Sequence, residues 1–210
     1  MKLLLLPALL LSISLAAAQD ATLDSWLAKQ AGITSLDARF TQERKLPALK
    51  NATRTRGRVC FVKPDRVRWQ LGDPFETLAV SDGATLTLLD ASNKTARRTS
   101  VDSPQASRFS LLSGKAFGSR ETFFQAFEIV NTRITDGIHQ YTLKAKDRRV
   151  RAEIPWIFID IDPAKNELRV LEMELQDKSR LRTVFENPRF NTKLDDSLFH
   201  PDLTGYDVKG

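Results

Sequence analysis

The chain has 210 residues, 41% of them hydrophobic and 28% charged, with a formal charge of +6 at pH 7. That balance suits one soluble globular domain, long enough to bury a sizeable core without a second. The single cysteine, Cys60, excludes an internal disulfide and any cysteine-rich metal site, and Lys and Arg scattered along the chain attract anionic partners without selecting among them.

Residues 1–18 read as a targeting segment. Lys2 supplies a short positive region, Leu3 to Leu15 an apolar core, and Ala16-Ala17-Ala18 a small-residue cleavage site. The apolar stretch is too short for a lasting membrane span. The mature chain is therefore expected to begin near Gln19, to form a single domain over 19–210, and to be periplasmic and soluble. No cysteine follows the cleavage site, so no N-terminal lipid anchor is expected.

In the mature chain, Thr22 to Ala31 has the pattern of a short helix. Thr22 is the expected cap, Asp24 suits the first turn, Leu23, Trp26 and Leu27 form an apolar face, and Gly32 stops it. Leu36 to Gln42 alternates as a strand, with Leu36, Ala38 and Phe40 inward. Leu46 to Arg56 is polar and contains Pro47, which predicts a loop or a ragged hairpin end.

The stretch from Gly57 to Asp90 organises the rest. Short β-rich runs are separated by Lys63-Pro64-Asp65, Gly72-Asp73-Pro74 and Ser81-Asp82-Gly83, where proline fixes φ and glycine permits φ > 0. From Arg66 to Leu71 the alternation is strict: Arg66, Arg68 and Gln70 face one way, Val67, Trp69 and Leu71 the other. A period of two with one wet and one apolar face describes an antiparallel strand. The segment predicts four strands of a curved meander, with Cys60 as a buried β-residue. A fifth strand is expected near Thr95 to Thr99.

The texture changes at Asp102. Ala106, Phe109, Ser110, Leu112 and Ser113 recur at helical spacing between Pro104 and Gly114, the expected placement of these two breakers. A second helix is expected from Ser119, with Glu121 in its first turn and Phe123, Phe124 and Phe127 on its apolar side. Strands then resume at Ile129–Ile134, Gln140–Lys146, Trp156–Asp162, Leu168–Leu175 and Arg182–Phe190, with turns at Asp136-Gly137, Asp162 to Asn166 and Asp177 to Ser179. Leu171, Met173 and Leu175 oppose Glu172 and Glu174. Roughly ten or eleven strands suit a sandwich or barrel. The two helices must bury their apolar faces, and the open side of a curved sheet is the available place. They either complete a closed core or form a movable lid over a cavity.

Catalytic chemistry is largely absent. His139, expected in a turn, and His200 are far apart and lack metal-ligand spacing, and there is no nucleophile elbow or phosphate loop. Asp160 and Asp162 share a strand face, but Asp162 precedes Pro163 and suits turn initiation. Trp69 points away from Arg66 and Arg68, unlike the interleaved aromatic and basic face of an RNA-binding sheet. These absences point to a protein that is not an enzyme, carries no cofactor or metal, and binds no nucleic acid.

Several motifs together carry a resemblance. Phe40-Thr41-Gln42, Gly57, Val62-Lys63-Pro64, Arg68-Trp69, Asp73-Pro74, Val80-Ser81-Asp82-Gly83 and Thr85-Leu86 resemble the LolA family of periplasmic outer-membrane lipoprotein carriers. Leu175-Gln176-Asp177, Phe185-Glu186-Asn187, Asn191, Phe199 and Pro201 are similar to that family's tail. The resemblance implies a mainly β (α+β) fold, an unclosed, strongly curved antiparallel β-barrel with helices covering its concave face. It also implies a monomer whose cavity shields the acyl chains of a lipoprotein. Such a carrier takes cargo from an inner-membrane ATP-driven transporter and passes it to an outer-membrane acceptor.

Within that fold the candidates for lining the cavity are Phe40, Val67, Trp69, Leu86, Leu88, Phe109, Phe123, Leu171 and Met173. Each is also an acceptable core residue. The resemblance makes Lys63 the lid latch, at a position where the family often has an arginine that hydrogen-bonds lid backbone. Lysine has three donors on a flexible stem against the planar five of arginine, so a looser latch is expected. Val67 stands where the family has a ligand-sensitive aromatic. These departures keep two alternatives open: a carrier of another acylated or polyketide-like lipid, and a periplasmic adaptor that binds a membrane-protein loop.

Overall fold

The computed structural model describes residues 21–103, 106, 109 and 115–210. The expected targeting segment and most of the helix expected over 104–114 lie outside these residues.

Twelve strands form one sheet: β1 (Ser35–Lys45), β2 (Thr53–Val62), β3 (Arg66–Leu71), β4 (Thr77–Ser81), β5 (Thr85–Asp90), β6 (Thr95–Ser100), β7 (Phe127–Thr135), β8 (Ile138–Ala145), β9 (Trp156–Asp162), β10 (Glu167–Glu174), β11 (Arg180–Phe190) and β12 (Asp207–Lys209). Their order is β12-β6-β5-β4-β3-β2-β1-β11-β10-β9-β8-β7. β1 to β6 make one meander and β7 to β11 a second, joined where β1 pairs with β11 from Leu36↔Phe190 to Lys45↔Arg180. Only β12 runs parallel to its neighbour, β6. β7 and β12 are not paired with one another, so the barrel is unclosed. The sheet is accompanied by α1 (residues 21–31), α2 (Arg120–Ala126) and α3 (Arg148–Glu153).

The local reasons are those the residues dictate. Asp136 and Gly137 both take positive φ in the two-residue β7–β8 turn, as Asn166 and Lys178 do in the turns around β10. Ser119 caps α2 and accepts a hydrogen bond from the Thr122 amide at 3.1 Å, while the Thr122 hydroxyl accepts one from Ser119 N at 3.0 Å. Several expectations need correction. α1 already includes Ala21, so Thr22 lies inside the helix. β2 begins at Thr53, so the 46–56 stretch is a shorter loop followed by strand. His139 belongs to β8, not to a turn. α3 and β12 were not anticipated: α3 has no buried residue to mark it, and β12 is three residues long.

Two of the three apolar clusters lie on the inner face. One gathers Leu23, Trp26 and Leu27 of α1 with Phe117, Phe123, Phe127, Leu143, Ile157, Ile159, Leu171 and Met173. The other holds Ala38, Phe40, Val59, Val67, Trp69 and Leu86, together with Ala106 and Phe109. Phe185 packs against both. The helices therefore cover the inner face. The third cluster is on the outer face, where Cys60, Leu78, Val80, Leu89 and Ala96 pack under Phe199, flanked by Leu194, Leu198, Leu203 and Tyr206 of the C-terminal segment.

That outer covering corrects the expectation of a wet face for β3. Arg66 and Arg68 do point away from Val67 and Trp69, but they meet the C-terminal segment. Arg66 pairs with Asp196 and lies over the Phe199 ring at 5.1 Å. Arg68 Nη1 donates to Leu198 O at 3.2 Å, and burial lowers its pKa. Glu174 is likewise buried instead of solvated. Desolvation raises its pKa, but hydrogen bonds from Lys178 and Arg180 outweigh this and hold it below the ordinary value.

Candidate functional site: a cavity under the first helix

Gly57 shapes the inner face at its centre. It pairs with Phe40 on one side and Leu71 on the other. A Cβ there would stand 2.3 Å from Phe40 Cζ and 2.4 Å from Gln70 O, so only glycine lets the Phe40 ring lie across the strand. That ring meets Trp69 at 4.4 Å between centroids, and Phe185 stands edge-on 6.3 Å from both.

Two pockets flank this aromatic group, and Trp69 lines both. The first, about 510 Å³, lies under α1. Its described lining includes Trp26 and Gln30 of α1, Leu36, Val59, Phe61, Lys63, Trp69, Leu171, Phe185 and Phe190, with Ser119 and Thr122 at the start of α2. The second, about 700 Å³, lies toward the other strand ends and is lined by Trp69, Leu71, Leu86, Leu88, Phe109, Ile154, Met173 and Leu175, with Gln42, Arg97 and Glu153 among its polar neighbours. Volumes of this size suit small ligands.

The structure thus sorts the nine candidates. Trp69 and Leu171 line the first pocket, and Trp69, Leu86, Leu88, Phe109 and Met173 the second. Leu88 is 37% exposed and marks an open rim. Phe40, Val67 and Phe123 line neither. They are packed core beneath the pocket walls, with Val67 at 0% exposure. Trp26, Phe61 and Phe190 were missed as lining residues. Their only signal was apolar periodicity, which core residues share.

α1 is fastened to the sheet by polar contacts at both ends. Lys63 Nζ donates to Ala31 O at 2.7 Å and to Gln30 O at 3.4 Å. These carbonyls lie in the last turn of the helix, where unpaired oxygens and the helix dipole favour a cation. Asn191 adds three contacts here: its Nδ2 donates to Gly32 O at 3.3 Å, and its Oδ1 accepts from Thr34 N at 2.7 Å and from the Thr34 hydroxyl at 3.1 Å. At the other end Asn166 Nδ2 donates to Ser25 Oγ at 3.0 Å, and Asp24 pairs with Arg120 of α2.

Asp160, Asp162, His139 and Cys60 line neither pocket. Asp162 accepts from Ala164 N at 3.0 Å and Lys165 N at 3.3 Å, a turn role. Burial raises the pKa of neighbouring Asp160, with a hydrogen bond from Gln140 opposing it. Burial lowers the pKa of His139 and raises that of Cys60, which donates weakly to Asp37 Oδ1 at 3.8 Å. Among the described residues no cluster of His, Cys, Asp or Glu could hold a metal ion, and no helix is long and apolar enough to cross a membrane.

A family model for the outer membrane lipoprotein carrier protein LolA matches residues 31–202. The chain belongs to the LolA family. Among curated proteins none matches it. Similar solved structures include an uncharacterized conserved protein from Thermus thermophilus, 10% identical, with a TM-score of 0.52, covering 91% of this chain and 98% of that one. A LolA superfamily protein from Nitrosomonas europaea is 14% identical with a TM-score of 0.43, covering 83% and 96%. The lipoprotein LppX from Mycobacterium tuberculosis is 12% identical with a TM-score of 0.41, covering 85% and 98%. The described partners of Lys63, the residue before the proline, are the last carbonyls of α1.

Proposed function

We propose that this protein is a soluble periplasmic carrier that shields the acyl chains of a lipoprotein and delivers them from the inner to the outer membrane. The observation that carries this reading is the apolar pocket of about 510 Å³ under α1, whose covering helix is held at its C-terminus by Lys63. Family membership over most of the chain supports it. An acyl chain crossing water gains about 0.8 kcal/mol per CH₂ it buries. Release needs a competing occupant, and a helix whose Trp26 already borders the cavity supplies one by settling back into it. An inner-membrane ATP-driven transporter would load the carrier and an outer-membrane acceptor would unload it. Cargo other than a lipoprotein, such as another acylated or polyketide-like lipid, would use the same walls.

Organic extraction of the protein purified from a bacterial periplasm, followed by mass spectrometry, tests the reading. Acylated molecules at near-stoichiometric amount are expected. A chain that emerges lipid-free, and that fails to bind an N-acylated cysteine peptide, would make the adaptor reading the better one.

A further inference from the structure

We propose that the pocket under α1 prefers an amphiphile with an anionic head, a carboxylate or phosphate monoester joined directly to an alkyl chain, and that Lys63 Nζ holds that anion. This rests on the acyl-carrier reading and, within it, favours the non-lipoprotein acylated cargo over a lipoprotein, whose diacylglyceryl head is neutral. Among the described residues lining the pocket, Lys63 is the one charged side chain. Its partners among the described residues are two neutral carbonyls, Gln30 O and Ala31 O. An ammonium has three donors, so one remains for a ligand. Among the described residues no carboxylate pairs with this positive charge at the edge of an apolar cavity, where a charge-assisted hydrogen bond is worth more than a neutral one. Gln30, Ser119 and Thr122 add polar groups to the same lining. A neutral glyceride head would leave the charge uncompensated, whereas an anionic head neutralises it. The anion also competes with the carbonyls of α1 for the same ammonium, which couples head-group binding to release of the helix.

The test titrates the lipid-free full chain with palmitate, hexadecyl phosphate and 1-hexadecanol below their aggregation concentrations, at a pH where the carboxylate is ionised. A peptide with a diacylglyceryl N-terminal cysteine is titrated in parallel. Fluorescence of Trp26 and Trp69 reads binding. One or both anions are expected to bind about tenfold tighter than the alcohol, and the two arms separate carboxylate from phosphate. The preference should weaken with added salt, survive in Lys63→Arg and in the exposed-loop control Lys50→Met, and vanish in Lys63→Met. Equal binding of anions and alcohol by the native chain, or a preference that persists in Lys63→Met, overturns the head-group inference and leaves the acyl reading standing. Should Lys63→Met fail to fold, the salt response of the native chain and of Lys63→Arg decides, and a salt-independent preference overturns the inference. Failure of every ligand, the peptide included, overturns the acyl reading itself.

Discussion

The ring of Phe40 reaches that of Trp69, 4.4 Å between centroids, by crossing the strand that separates them at Gly57. Trp69 in turn forms a wall of both pockets. One glycine therefore sets the position of the tryptophan that bounds the candidate site. Gly57→Ala should displace the Phe40 ring and destabilise the fold by about 1–3 kcal/mol, the usual cost of overpacking. Urea unfolding checks the value. A variant as stable as the native chain, with unchanged tryptophan emission, would show that the crossing is not required.

Val67 and Trp69 share a strand face but should respond differently to glutamate. Val67 is fully buried and lines no pocket, so Val67→Glu places an unpaired carboxylate in packed core and should prevent folding. Trp69 borders open volume, where water can reach a carboxylate. Trp69→Glu should keep the fold, by circular dichroism, while losing uptake of an acylated peptide.

Arg68 is fastened to the C-terminal segment, not to water. Arg68→Glu removes the hydrogen bond to Leu198 O and leaves a carboxylate facing that oxygen. Faster amide exchange over residues 194–206 is expected, with acyl-peptide uptake unchanged. Lost uptake without faster exchange would mean that the outer face takes part in binding.

Asp37 is 4% exposed and accepts from Arg58 at 2.8 and 3.1 Å, with Arg189 closing the group from the other side. The hydrogen bond from Arg58, opposed by burial, holds its pKa below the ordinary 3.8. The stabilisation it gives is present above that value and is lost as pH falls through the lower folded value. Asp37→Asn should cost about 2–3 kcal/mol near neutral pH. The gap between variant and native stability should narrow as pH drops below about 4.

Much of the fold was legible because its residues state it locally. The Arg66–Leu71 alternation sets which side chains face inward, Trp156–Asp162 was read with its observed bounds, and Asp136-Gly137 names its own turn. Asp37 was not legible, because a charged residue in a strand reads as solvated until its partner on β11, far along the chain, is placed beside it. The C-terminal covering of β3 was hidden for the same reason. Arg66 and Arg68 look like a wet face until Asp196 and Leu198 fold back over them. α3 carries Arg148, Arg149 and Arg151 around a single Val150, which leaves no apolar face to detect. Trp26 and Phe61 were visible as apolar, but periodicity alone cannot distinguish a wall of a cavity from core.

The central claim is that an acyl chain lies on the inner face beside Trp69. Photolabelling by an N-acylated cysteine peptide with a diazirine at the end of its chain tests it most directly. Cross-links are expected within residues 57–71, 168–175 and 181–190, and they should disappear in Trp69→Glu. Cross-links confined to the outer covering at residues 194–206, or inner-face labelling that persists in Trp69→Glu, would contradict it.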